Sequence, residues 1–140
     1  MRYRGGLWIG AAVLALTGPA QAQSYTTAAE VKPILMMTKA SWIAVRAYEG
    51  QDLLYFTNAL AWRCGITGIT YAVNDGPKLG LAMEPCYEGE ATPNALKMDQ
   101  GILPFVTLPL QSVATVTVEI QFDDGTTEAV DYARAAVLIP

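Results

Sequence analysis

Val116, Val118, Ile120 and Phe122, in strict alternation with Thr115, Thr117, Glu119 and Gln121, constrain this chain more than any other feature. A period of two is that of a strand with one face buried and the other in water. Asp123-Asp124-Gly125 then predicts a turn, and register selects its type. A two-residue turn at Asp124-Gly125 would place Asp131 on the apolar face. A three-residue loop sets Phe122 opposite Thr126 and brings Glu128, Val130 and Tyr132 to that face, with only Glu128 awkward. The three-residue loop is therefore expected, with Gly125 in the left-handed position of a bulge.

Other segments carry the same signal less cleanly. Trp42–Tyr48 predicts a strand with Ile43, Val45 and Ala47 on one face and Trp42, Ala44, Arg46 and Tyr48 on the other. Glu49-Gly50-Gln51-Asp52 reads as a turn. Leu53–Thr57 favours strand by its aromatic content, while Leu53, Phe56 and Leu60 also sit at helical spacing. Ile66–Val73 alternates and ends at the turn-rich Asn74-Asp75-Gly76-Pro77. Leu79–Met83 and Ala136–Ile139 are expected as short strands, and Tyr87–Gln100 as a long surface loop. Glu30–Thr38 fits two forms. One is a short helix opened by a Thr27/Glu30 capping box, with Pro33 tolerable only in the first turn. The other is an edge strand. Six to eight short strands with frequent turns predict an all-β fold, a small sandwich or barrel. The alternative is an α+β fold with one short N-terminal helix near residues 28–39.

The first 22 residues follow a different logic. Met1–Arg4 is basic, Leu7–Leu16 is mostly apolar, Gly18-Pro19 breaks the run, and Ala20-Gln21-Ala22 matches a small-x-small cleavage site. A signal peptide over 1–22 and a single domain over 23–140 are expected. The apolar run is short for a permanent span, and no later stretch is long and apolar enough, so no membrane span is expected after cleavage. Periplasm or secretion follows. In that oxidising setting Cys64 and Cys86 predict one structural disulfide, closing a loop worth on the order of 3 kcal/mol. The short C-x-x-C spacing of a redox pair is absent.

After cleavage the chain carries seven basic residues against thirteen acidic ones, a formal net charge of −6. That balance argues against nucleic acid and against electrostatic attachment to anionic lipid. There is no histidine, which excludes a His-based triad, a His-ligated zinc and a histidine pH switch. No phosphate-cradling glycine loop or G-x-S-x-G elbow occurs, and neither a cofactor nor a metal is expected. Glu84, Glu88 and Glu90 flank Cys86 without the alternating oxygen ligands of a calcium loop. Asp123 and Asp124 are adjacent carboxylates, but a hairpin turn favours Asp for local reasons.

Five residues stand out as a candidate ligand-binding set: Trp62, Arg63, Tyr55, Trp42 and Arg46. Arg63 suits a carboxylate or phosphate and Trp62 a sugar or apolar group; alternatively Trp62 packs on the disulfide and Arg63 pairs with a surface acid. Trp42, Arg46 and Tyr48 would form a recognition patch if their strand face is open. If the other sheet covers that face, they are core residues and a snorkelling arginine. The runs Gly50-Gln51-Asp52-Leu53-Leu54-Tyr55-Phe56, Trp62-Arg63-Cys64-Gly65 and Phe122-Asp123-Asp124-Gly125 resemble small exported proteins of proteobacteria without a described activity. The expectation is a non-enzymatic periplasmic or secreted domain acting by binding or protein contact, with an envelope protein as partner. The alternative is a small enzyme or enzyme inhibitor using Arg and carboxylates in a cleft, which convergence of Arg63, Tyr55 and an acid would favour.

Overall fold

Alternation becomes two antiparallel sheets in the computed structural model, which describes residues 5–6, 9–13 and 24–140. Most of the predicted signal peptide, its cleavage site included, lies outside the described residues. One sheet has the order β1 (Ala44–Tyr48), β2 (Gln51–Tyr55), β5 (Phe105–Pro109). The other has the order β4 (Leu79–Gly80), β3 (Ile66–Val73), β6 (Thr115–Phe122), β7 (Thr127–Ala133). Their inner faces share one core, in which Val45 and Leu54 join Ile69, Tyr71, Val118 and Ile120. The class is therefore all-β and sandwich-like, with one disulfide between Cys64 and Cys86. The short helix of the alternative is also present, as α1 (Ala28–Met37), and adds Val31 and Leu35 to the same core. Among the described residues no helix is long and apolar enough to cross a membrane.

The β6–β7 hairpin has the expected three-residue loop. Gln121 pairs with Thr127, the Phe122 N–H donates to the Thr126 carbonyl at 2.8 Å, and Gly125 has φ +84°. The awkward Glu128 is met by Lys39 at 3.3 Å. In β3 a register shift between Ile66 and Gly68 keeps both Ile66 and Ile69 on the buried face.

Several boundaries differ from expectation. The β1–β2 turn needs only Glu49 and Gly50, both at positive φ, so Gln51 and Asp52 belong to β2. Trp42 and Ile43 precede β1, and the helical backbone of Trp42 (φ −59°, ψ −35°) takes it out of the strand's alternation. Thr57–Leu60 is a short helix, α2, the form its helical spacing allowed. The strand expected at Ala136–Ile139 is instead a helical turn, α3 (Arg134–Val137), after which only Leu138 bridges to Val45. Leu79–Met83 yields just the two residues of β4.

α1 opens with half of the expected box: the Thr27 hydroxyl accepts from the Glu30 amide, while the Glu30 carboxylate reaches past Thr27 to the Tyr25 amide at 3.1 Å. Pro33 lies in the second turn, beyond the position expected to tolerate it. Both Pro33 and Ala29 are exposed, so the carbonyl that loses its amide partner faces water.

Candidate functional site

The polar residues best suited to chemistry are consumed inside the fold. Asp52 is fully buried on β2. Its carboxylate accepts from Arg134 at 2.5 and 3.0 Å and from the amides of Gln111 and Val113 at 2.9 and 3.1 Å. The Arg134 hydrogen bonds hold the carboxyl well below the ordinary range, against the opposing effect of burial. Because Asp52 lies in one sheet and Arg134 follows the last strand of the other, the pair clips the sheets together.

Arg63 is likewise a structural hub. It is 2% exposed in the 3₁₀ turn Arg63–Gly65. Its Nη1 donates to the carbonyls of Asn94 (2.6 Å) and Leu60 (3.3 Å), and its Nη2 to those of Ala95 (2.7 Å) and Pro85 (2.9 Å). The Nε–H is shared between Glu84 and Pro85. A guanidinium has five N–H donors, so none is left for a ligand. Burial lowers its pKa, and the nearby Glu84 carboxylate opposes that. Burial alone would raise the pKa of Glu84. Hydrogen bonds from the Tyr87 hydroxyl (2.6 Å) and the Lys97 amide (3.0 Å) outweigh it and hold the carboxyl low. The same hydrogen bond, with burial, pushes the Tyr87 hydroxyl up to about 12. Thus Tyr87–Gln100 is a loop without regular structure that is organised around one buried cation.

The aromatic candidates separate. Trp42 is fully buried, its indole N–H donating to the Leu35 carbonyl at 2.8 Å, so it leaves the expected recognition patch and becomes core. Trp62 is half-buried with its ring edge-on to Tyr25 at 5.1 Å, bordering a cleft of about 360 Å³ with Ser24 and Thr92–Ala95. Tyr55 lines another cleft and does not meet Arg63, so the convergence that would favour the enzyme reading is not seen at these two residues.

What the fold does bring together is the outer face of the three-stranded sheet. Register places Arg46 opposite Leu53 and Thr107, Tyr48 opposite Gln51 and Pro109, and Ala44 opposite Tyr55 and Phe105. Directly opposed residues share a face, and this face is the one turned from the Val45–Leu54 core. The Arg46 guanidinium lies 4.5 Å over the Tyr48 ring, and Tyr55 and Phe105 meet at 5.3 Å. Among the described residues Arg46 has no hydrogen-bond or ion-pair partner, unlike Arg63 and Arg134. At the end of the face a cleft of about 310 Å³ is lined by Trp42, Ala44, Tyr55, Thr57, Asn58 and Ile139, so the buried Trp42 still borders the same cleft as Tyr55. Phe105 was not singled out in the sequence, because only register sets it beside Tyr55. Comparison with protein-family models, curated proteins and solved structures yields no significant match to this chain.

Proposed function

We propose that this protein is a non-enzymatic binding domain of the periplasm or extracellular space, contacting an envelope protein through the outer face of β1–β2–β5. The observation that carries this reading is Arg46: its donors are unspent and its guanidinium sits over the Tyr48 ring, beside the Tyr55–Phe105 pair. Aromatic residues and arginine dominate the energetics of protein contacts. A planar guanidinium held over an aromatic ring is preorganised for a partner's carboxylate. The disulfide and the cleavage pattern at Ala20-Gln21-Ala22 support export, as does the resemblance to small exported proteobacterial proteins. The net charge of −6 expected after cleavage supports a protein partner over nucleic acid.

A photoreactive amino acid at Tyr48, introduced in cells, tests the reading. One discrete crosslinked product is expected from the periplasm, absent when the probe sits at Thr126 in the β6–β7 hairpin. Arg46→Glu should abolish the product without changing the melting temperature. No crosslink at Tyr48, or one that survives Arg46→Glu, overturns the reading. The intact mass of the exported protein is expected to begin at Gln23; a product retaining residues 1–22 overturns the export step.

A further inference from the structure

A sheet exposes unpaired backbone groups at its edges, and folded proteins blunt them with proline, lysine, shortness or cover. The four edges here differ in this respect. At β1 the C-terminal segment intervenes: Leu138 bridges Val45, and the Ile139 amide donates to the Val45 carbonyl at 2.9 Å. β5 is bounded by Pro104 and Pro109, and β4 has only two residues. β7 runs for seven residues, Thr127–Ala133, with neither proline nor lysine.

Hydrogen-bond direction along β7 follows from its first bond. The Phe122 amide donates to the Thr126 carbonyl, so the even-numbered residues 128, 130 and 132 bond to β6. Alternation then turns the N–H and C=O of Thr127, Ala129, Asp131 and Ala133 outward. No hydrogen bond of the described residues uses these backbone groups outside the β6–β7 ladder.

We infer that β7 pairs with β7 of a second copy, antiparallel, about a two-fold axis at Val130. This register opposes Thr127 to Ala133 and Ala129 to Asp131 of the other copy, so all four outward residues find outward partners. Glu128 falls opposite Tyr132, and Val130 opposite itself. No two like charges are directly opposed: Glu128 already faces Lys39, and Asp131 is turned toward the Thr117 hydroxyl at 2.7 Å. The outer side chains Thr127, Ala129, Asp131 and Ala133 are small; Asp131 and Ala133 also border an open cleft of about 280 Å³ with Asp75, Thr115 and Thr117, and two-fold symmetry supplies the edge's own complementarity. The pairing joins two four-stranded sheets into one of eight strands, and it leaves the Arg46–Tyr48 face, on the other sheet, open.

Sedimentation of the purified protein tests this. A single strand pair is a small interface, so a monomer near 10 µM and a dimer by about 1 mM are expected. Ala129→Pro removes an outward N–H and leaves the β6 ladder intact; it should be monomeric at both concentrations with its melting temperature retained. Amide exchange read by NMR gives a second measurement without a variant. Raising concentration should protect Thr127, Ala129, Asp131 and Ala133 and leave Glu128, Val130 and Tyr132 unchanged. A wild-type monomer at the higher concentration, a dimer undiminished by Ala129→Pro, or dimer-dependent protection elsewhere than β7 overturns the proposal. None of these outcomes bears on the Tyr48 crosslink.

Discussion

Asp52 and Arg63 each concentrate a structural task in one side chain. The Asp52 carboxylate accepts from two amides and a guanidinium. Asp52→Asn keeps the shape but turns an N–H₂ toward these donors. We expect a fall in melting temperature of roughly 10 °C, since removing one partner strands the other, with near-native circular dichroism. Acid should act through the same group. The Asp52 pKa is lowered from 3.8 by Arg134, so the unfolded chain takes up this proton first as pH falls. The stability it contributes is complete above that ordinary value and is lost as pH drops through the lower folded one. Urea unfolding from pH 6 to pH 2 should show wild type losing stability below about pH 4, with the Asp52→Asn curve flatter. At Arg63 the geometry of the fork matters as well as the charge. Lysine offers one compact ammonium where five carbonyl-bearing residues, Leu60, Glu84, Pro85, Asn94 and Ala95, now converge. Arg63→Lys should therefore cost about 2–3 kcal/mol and speed amide exchange across residues 85–97 ahead of the sheets; exchange confined to the sheets would contradict this role.

At the scale of elements, α1 is held by contacts distant in sequence. The Asp123 carboxylate, in the β6–β7 turn, accepts from the Ala28 amide at 2.9 Å, so this aspartate caps a helix as well as serving its own turn. Gly65 lets α1 come close: a Cβ there would run into the Val31 methyl and sit 2.6 Å from the Thr27 carbonyl oxygen. The backbone oxygen cannot rotate away as a side chain can. Gly65→Ala should push α1 off the Arg63–Gly65 turn and destabilise the fold by about 1–3 kcal/mol. Denaturant midpoints measure this. An unchanged midpoint would mean that the helix shifts freely, contrary to the burial of Val31 and Leu35.

Across the whole molecule the disulfide supplies a constraint that packing does not. Cys64 and Cys86 are separated by 22 positions, with Cα atoms 4.9 Å apart, and enclose β3 and β4. Closing such a loop limits the unfolded ensemble by about 3 kcal/mol, against a typical total of about 5–15 kcal/mol for a domain. Reduction should lower the melting temperature by roughly 10 °C. A thiol titration of unfolded, unreduced protein should find no free thiol, since neither cysteine is free. Two free thiols, or a melt unchanged after confirmed reduction, would contradict the bridge or its contribution.

Short-range physics made much of this legible from the sequence. Alternation over Thr115–Phe122 determined a half-buried strand, and the need to keep Asp131 off the apolar face determined the three-residue hairpin loop. Two cysteines admit one pairing; Thr27 with Glu30 allowed a helix start but left an edge strand equally open. The candidate site was legible only in part: Arg46, Tyr48 and Tyr55 were named, but Trp42 was placed with them and Phe105 was missed. Trp42 closes the 3₁₀ turn Lys39–Ser41 with helical backbone, which takes its indole out of the β1 alternation and into the core. Phe105 joins Tyr55 because β5 adds to β2 from 50 positions away. Asp52 reads locally as a turn residue, yet Arg134, 82 positions on, makes it the buried clip between the sheets. Periodicity, turn chemistry and cysteine count are properties of neighbouring residues. Which charges are spent on internal carbonyls and carboxylates, and which remain open to a partner, is decided by strand register and loop closure, and so belongs to the tertiary structure alone.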